Sequence, residues 1–294
     1  MTIVGKSKRS ASFRRNRWML SAILFVIWLY TVLPLFYVIV SASKSNNDLF
    51  TTFGLWFSSD FHLVENIRDV FSYQDGIFSR WLLNTIGYAT AAGLGAALFS
   101  TMAGYALAKY QFFGKRLIFA IILGAVMIPQ TALVVPLFLL MSKVGMVNTP
   151  WAVILPSLVF PPGVFLMRVY ADDAIPNELI DAGRVDGAGE FHIFTALTLR
   201  LLMPGFATVL ILAFVATWNN YFLPLVVLSS SEYFPVTVGL AQWYASATVG
   251  SGGGAALFTL VLAGALLSIV PVIIAFIVMQ RFWQGGLGAG GVKA

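Results

Sequence analysis

The sequence predicts an all-α polytopic membrane protein with six transmembrane helices. Three observations carry that prediction. First, 59% of the 294 residues are hydrophobic and 10% are charged, with a mean hydropathy of +0.86. Soluble domains carry about 25% charged residues, and a chain this apolar cannot cover a water-facing surface. Second, the charges leave six free stretches, 18–43, 81–108, 117–142, 144–167, 201–231 and 233–280. A helix needs roughly 20 apolar residues to cross the hydrocarbon core. Third, Lys and Arg concentrate in alternate connections, as orientation in a bilayer requires. This composition excludes a soluble enzyme, a secreted disulfide scaffold and a disordered chain. No cysteine is present, so disulfides, thiol catalysis and Cys-ligated metal are excluded. His62 and His192 are too few and too far apart in sequence for a metal cluster.

Residues 1–17 read as a cytoplasmic basic tail carrying Lys6, Lys8, Arg9, Arg14, Arg15 and Arg17. The first helix, 18–43, has an apolar run from Trp18 to Val40. That run exceeds the about 7–15 residues of a secretory signal, so it is expected to stay as a membrane anchor. Residues 44–80 form an extracytoplasmic loop. The second stretch is rich in small residues (Gly87, Ala91, Gly93, Gly95, Ala96, Ala97, Ser100, Gly104), which let helices pack closely in lipid. Prolines at 34, 129, 136, 156, 224 and 271 fall inside or beside the crossings, and each removes a backbone donor and can kink its helix. The sixth stretch opens with polar and turn-rich sequence, Pro235, Gln242 and then Gly250 to Gly254, and becomes continuously apolar from about Ala255 to Met279. Residues 81–280 thus form the membrane core, and 281–294 a cytoplasmic tail.

Fourteen of the eighteen Lys and Arg fall on one side: the N-terminal tail, the connections after the second and fourth helices, and the C-terminal tail. Lys44, Arg68, Arg80 and Lys143 are the other four. The positive-inside rule makes the richer side cytoplasmic and places both termini there. The basic excess is a topology signal, and no nucleic-acid partner is expected.

No acid, base or histidine lies inside a span. Proton-driven carriers need such groups to carry charge, and an intramembrane hydrolase needs a general base. Sodium coupling through backbone carbonyls stays open. The polar cluster Trp218, Asn219, Asn220 and Tyr221, followed by Pro224, needs partners at bilayer depth. Lining a path for an uncharged polyhydroxy solute and bonding between helices both supply them.

The connection 168–200 is too polar to span, yet helical in pattern. Pro176 suits a first helical turn. Glu178 and Asp181 sit where the helix dipole favours acids. Ile175, Leu179, Ala182 and Val185 recur at helical spacing as one apolar face. Gly187-Ala188-Gly189 ends that helix, and a second short helix is expected from Glu190 with Phe191, Phe194 and Leu197 on one side. A helix pair lying on the membrane would be basic on its polar face. Six acids against three bases favour a protein partner instead.

Asp181-Ala182-Gly183, Gly187 and the hydrophobic run to Leu199 resemble the "EAA" loop of ABC importer permeases: Glu-Ala-Ala, three residues, Gly, then an apolar stretch ending in Leu-Pro. The string IPNELIDAGRVDGAGEFHIF is similar to the carbohydrate branch, the maltose-permease-like inner-membrane subunits. So are AGYALAKYQFFGKR (Ala103 to Arg116), IPQTALVVPLFLL (Ile128 to Leu140), WNNYFLPL (Trp218 to Leu225) and QRFWQGGLGAGGVKA (Gln280 to Ala294). The resemblance covers 81–294. This chain departs from the motif at Asp181, at Gly183, which weakens a helix by about 1 kcal/mol relative to alanine, and at Arg200, where the motif has proline.

The resemblance implies a type I ABC importer permease fold and an ATP-driven, binding-protein-dependent sugar importer, of which this chain forms half the pathway. It implies coupling through Asp181, Ala182, Gly183, Asp186 and Gly187. Its partners would be a second homologous permease, an ABC ATPase dimer, an extracytoplasmic solute-binding protein facing 229–254, and membrane lipid. The setting would be a bacterial plasma membrane. The chain itself would be no enzyme and hold no cofactor. A P-loop needs GxxxxGK[ST] after a strand; Gly5-Lys6-Ser7 is only its last fragment, and the GxGxxG at 286–291 has no helix to open. ATP and Mg are therefore expected on a separate chain. An ion-coupled carrier or channel, and a structural membrane subunit, are the alternatives. Maltodextrins, trehalose, other oligosaccharides and glycerol phosphate are substrates of such importers, and the lack of Lys or Arg at depth leans against a phosphorylated one.

Overall fold

A helix that crosses a bilayer satisfies its backbone internally, and the long apolar runs of this chain do so. The computed structural model describes residues 9–249 and 255–287. Lys6 and Lys8 of the basic tail, the Gly5-Lys6-Ser7 fragment, the Gly250–Gly254 stretch, Lys293 and the glycine-rich segment beyond residue 287 lie outside the described residues. Among the described residues the regular elements are all helical, and the chain divides into two compact units: residues 1–70 with 244–266, and residues 71–243 with 267–294.

In the first unit, α1 (Arg9–Ala42) carries a membrane-length segment from Trp18 to Ala42. Its side chains from Trp18 to Tyr30 are exposed, as a lipid-facing helix requires. The loop predicted at 44–80 holds α2 (Asn46–Thr51) and α3 (Leu63–Ser72). Asn66 Nδ2 donates to the carbonyls of Ala42 (2.8 Å) and Lys44 (2.9 Å), satisfying acceptors that the end of α1 leaves open.

The second unit is built around α4 (Ile77–Lys109). Left-handed backbone at Gln74, Asp75 and Gly76 separates it from α3. There follow α5 (Lys115–Val126), α6 (Val134–Lys143), α7 (Trp151–Ser157) and α8 (Pro161–Ala174). Next come α9 (Asn177–Val185), the single turn α10 (Glu190–His192), a π-helix over Ile193–Thr198, α11 (Leu199–Trp218), α12 (Phe222–Val227) and α13 (Val236–Val249). The last helix, α14 (Ala255–Leu287), belongs to the first unit through Leu266 and to the second from Leu267, and carries a membrane-length segment over Leu257–Gln280, matching the sixth predicted crossing.

Lipid is as apolar as a side chain, so helices in it associate by close packing. The small residues of α4 serve that end. A β-carbon on Gly104 would stand 2.5 Å from Met167 Cβ and 2.7 Å from the Arg168 backbone nitrogen, so only glycine admits α8 at this distance. Packed on both is α11. One buried cluster runs through Ala97, Met167 and Val209 and on to Ile175, Ile180 and Ile193 beyond the bundle. In those last three, water is the reference solvent, and each burial contributes about 1.5–3 kcal/mol.

Three predicted boundaries shift. The third crossing, expected as one stretch over 117–142, is two helices meeting at 101°. Pro129 lies at the break; it lacks an N–H and drives the preceding residue out of helical geometry. The pair still traverses the unit. At its start, Lys109 and Tyr110 bond α9 and α10. At its far end, Asn148 bonds Val227, Ser229 and Ser230, beside the start of α4, where Trp81 Nε1 donates to the Ser231 carbonyl (2.8 Å). Five helices qualify as crossings alone and six with this pair counted once; the traverse supports six. The fourth crossing continues to Ala174, so Arg168 lies inside α8, its guanidinium 3.6 Å from the centroid of the Phe119 ring. The fifth, expected to 231, ends at Trp218.

Candidate functional site

The elbow between α8 and α11 places most of the predicted coupling residues on α9. Pro176 is extended (ψ 139°) and stands just before the first turn. Asn177 opens the helix, and Glu178 lies in its first turn. The buried face is Ile180 and Gly183, with Ile175 below it. The predicted apolar stripe is thus divided: Ile175 is buried and Leu179 half-buried, while the rest of it faces water as a docking stripe would. Ala182 is exposed and Val185 is 87% exposed. On the buried face Gly183 is the contact point: a β-carbon there would lie 3.1 Å from both Ile193 Cγ1 and Leu197 Cδ1. The glycine at this position, where the motif has alanine, brings α9 close against the π-helix.

α9 ends in a Schellman motif. Gly187 has φ +77°, its N–H bonds the Arg184 carbonyl (3.0 Å), and the Ala188 N–H bonds the Gly183 carbonyl (3.0 Å). Asp186 is the residue before the left-handed step, its N–H on the Ala182 carbonyl, its side chain in water. The second predicted helix is a single turn that passes directly into the π-helix and α11. The wider π turn changes the register, so Phe191 stays 79% exposed while Phe194 and Leu197 are half-buried. Ala182 and Val185, three residues apart and therefore on one helix face, thus stand out in water on α9, as does Phe191 at the next turn.

Charges hold this elbow in shape. Arg184 Nε donates to Glu190 Oε1 (2.8 Å) and Nη1 to Asp181 Oδ1 (3.2 Å). Tyr110 Oη donates to Glu190 Oε2 (2.6 Å). The Arg184 guanidinium, then the Tyr110 hydroxyl, hold the Glu190 carboxyl below the usual range. Burial, then the Glu190 carboxylate, push the Tyr110 phenol up. The hydrogen bond to Glu190 raises Arg184 further above its ordinary value. Sequence reasoning identified Asp181 but missed Arg184, Glu190, Lys109 and Tyr110. No spacing rule signals a tyrosine 80 residues from its carboxylate.

The predicted path residues are the break between α11 and α12. Trp218 is buried and stacks on Phe214, centroids 5.6 Å apart. Asn219 Nδ2 donates back to the Val215 carbonyl (2.9 Å), closing the end of its own helix. Pro224 has no N–H to offer the Asn220 carbonyl, and Thr237 Oγ1 on α13 donates to it instead (2.9 Å). Tyr221 is half-buried, its ring 5.3 Å from that of Phe222. The four thus lie together, but apart from the elbow residues, at the opposite end of α11. Among the described residues, no group of three or more His, Cys, Asp or Glu side chains could hold a metal ion.

Residues 96–284 match the family described as binding-protein-dependent transport system inner membrane component. The arabinooligosaccharides transport system permease protein AraQ of Halalkalibacterium halodurans is 37% identical, over 94% of this chain and 96% of that protein. AraQ of Bacillus subtilis is 31% identical, over 97% and 99%. The diacetylchitobiose uptake system permease protein NgcG of Streptomyces coelicolor is 28% identical, over 97% and 92%. A crystal structure of a bacterial ABC transporter that imports the acidic polysaccharide alginate contains a chain of the same fold, with TM-score 0.80 and 23% identity over 96% of this chain and all of that one.

Proposed function

This chain belongs to the family of binding-protein-dependent transport system inner membrane components and is a permease subunit of a sugar importer; we propose that its α9–α10 elbow takes force from a separate ATPase chain. The observation that carries this reading is the elbow's exposed apolar set, Ala182, Val185 and Phe191. It stands out in water on a segment ended by the Schellman turn and bridged by the Arg184 ion pairs. An apolar stripe on an acid-rich elbow suits a cleft on a protein. Asp181, Ala182, Gly183, Asp186 and Gly187 form or shape it.

In this reading ATP and Mg lie on an ATPase dimer in the cytoplasm, and both termini of this chain face that side of a bacterial plasma membrane. Closure of the dimer pulls the elbow, and the helices packed on it swing the pathway between inward and outward access. A second homologous permease completes the pathway, lipid surrounds it, and an external solute-binding protein delivers the substrate on the side of 229–254. The substrate class is a neutral oligosaccharide. The names of the arabinooligosaccharide and diacetylchitobiose relatives support that class. Of Trp218, Asn219, Asn220 and Tyr221, Asn219 and Tyr221 reach this path near its outer end, with Trp218 packed behind them and Asn220 bonded through its carbonyl to α13.

The test is uptake of labelled arabino-oligosaccharide into proteoliposomes holding the full importer and its binding protein. Uptake should require ATP and vanish with a hydrolysis-dead ATPase. Uptake that persists with the dead ATPase would establish an ion-coupled carrier instead.

A further inference from the structure

Two consecutive residues at the end of α4 grip the elbow from outside it. The Tyr110 hydroxyl donates a hydrogen bond to one oxygen of Glu190 at 2.6 Å, and Arg184 occupies the other at 2.8 Å. Glu190 is therefore shared between a crossing helix and the last turn of α9. Lys109 Nζ reaches the Asp172 carbonyl in the last turn of α8 and Asn177 Oδ1 at the start of α9, each at 3.2 Å. Under these polar contacts the Tyr105 ring packs on Tyr110 and Phe194, with centroids 5.6 and 5.1 Å apart.

The connectivity gives this arrangement a consequence. The elbow joins α8 and α11 through the chain itself, so those helices follow it whatever their side chains do. No covalent path of useful length joins it to α4, the helix on which both pack. Apolar packing is non-directional; a short hydrogen bond from a phenol to a carboxylate is directional and about twice as strong as a neutral one.

The geometry points to Tyr110 and Glu190 as positioning residues that lock α4 to the elbow, so that one stroke on α9 drives three crossing helices together. This inference rests on the ATPase-driven reading above. It gives the Tyr110 hydroxyl a role in coupling that is separable from assembly.

The experiment counts sugar molecules imported per ATP hydrolysed in the reconstituted full importer, together with the amount of ATPase subunit that copurifies. Tyr110→Phe removes the hydroxyl and keeps the ring against Tyr105. It should copurify the normal amount of ATPase and continue to hydrolyse ATP. Sugar per ATP should fall about tenfold, the scale set by a lost hydrogen bond to a charged group. Glu190→Gln, which keeps an acceptor for the tyrosine but weakens both bonds, should fall between that variant and the wild type. A tyrosine with a purely structural role would lower assembly, hydrolysis and uptake in proportion, and an unchanged ratio overturns the proposal. Should Tyr110→Phe fail to assemble, the Glu190→Gln ratio decides in the same way. A wild-type importer that moved sugar without ATP would overturn the ATPase-driven reading itself, and this inference with it.

Discussion

Gly187 shows what a single residue contributes to this elbow. Its φ of +77° closes the Schellman turn, and no atom lies within 4 Å of where a β-carbon would sit. The cost of replacing it is therefore conformational, about 1–2 kcal/mol for alanine and less for asparagine, which tolerates left-handed backbone. Hydrogen exchange of the α9 amides should be faster in Gly187→Ala than in Gly187→Asn. Equal rates would mean that the turn bears no strain. Gly187 was legible from its place in the motif. The role of Gly183 was not, because its reason is a contact with Ile193, ten residues further on. His62 offers a second test. Its Nδ1 pairs with Glu65 at 2.5 Å, which raises its pKa above the ordinary 6.5. A raised folded pKa means that the pair stabilises fully below 6.5 and is lost as pH rises through the raised value. NMR titration should place His62 above 6.5 and return it toward that value in Glu65→Gln; a wild-type value at or below 6.5 contradicts the pairing.

Among the elements, the α4–α8 contact is the most demanding. A β-carbon on Gly104 meets backbone atoms of α8 at 2.7 Å, and backbone cannot rotate aside. Gly104→Ala should cost about 1–3 kcal/mol, as overpacking does, visible as a lower melting temperature in detergent. No change would mean that the two helices stand further apart. The stripe of small residues on α4 was legible because close packing in lipid needs it. The prolines were legible as breaks, but not their consequences. Proline removes a bond and leaves the angle to whatever packs around it, which gives 101° after Val126 and a new partner, Thr237, for Asn220. The π-helix left no mark in the sequence. Its register change decides that Phe191 faces water while Phe194 faces Tyr105.

For the whole molecule, the bilayer made the order of crossings readable. It demands long apolar helices and biases basic residues to one side, and both rules act along one dimension. Pairings across the bundle obey no such rule. Asn148 on the 227–230 segment, Trp81 on Ser231 and Tyr110 on Glu190 each join residues 79 or more positions apart, and none was predicted. The elbow is where the two kinds of information meet: its location follows from charge patterning, its rigidity from contacts made at a distance. Because the chain contains no cysteine, Val185→Cys introduces a single thiol at an 87% exposed position. The decisive measurement is thiol cross-linking of that variant in membranes holding the complete importer. The account predicts an adduct with the ATPase subunit whose yield changes when ATP is added. A thiol that reacts only with impermeant reagent applied outside the cell, and is never captured by an ATPase, would contradict it.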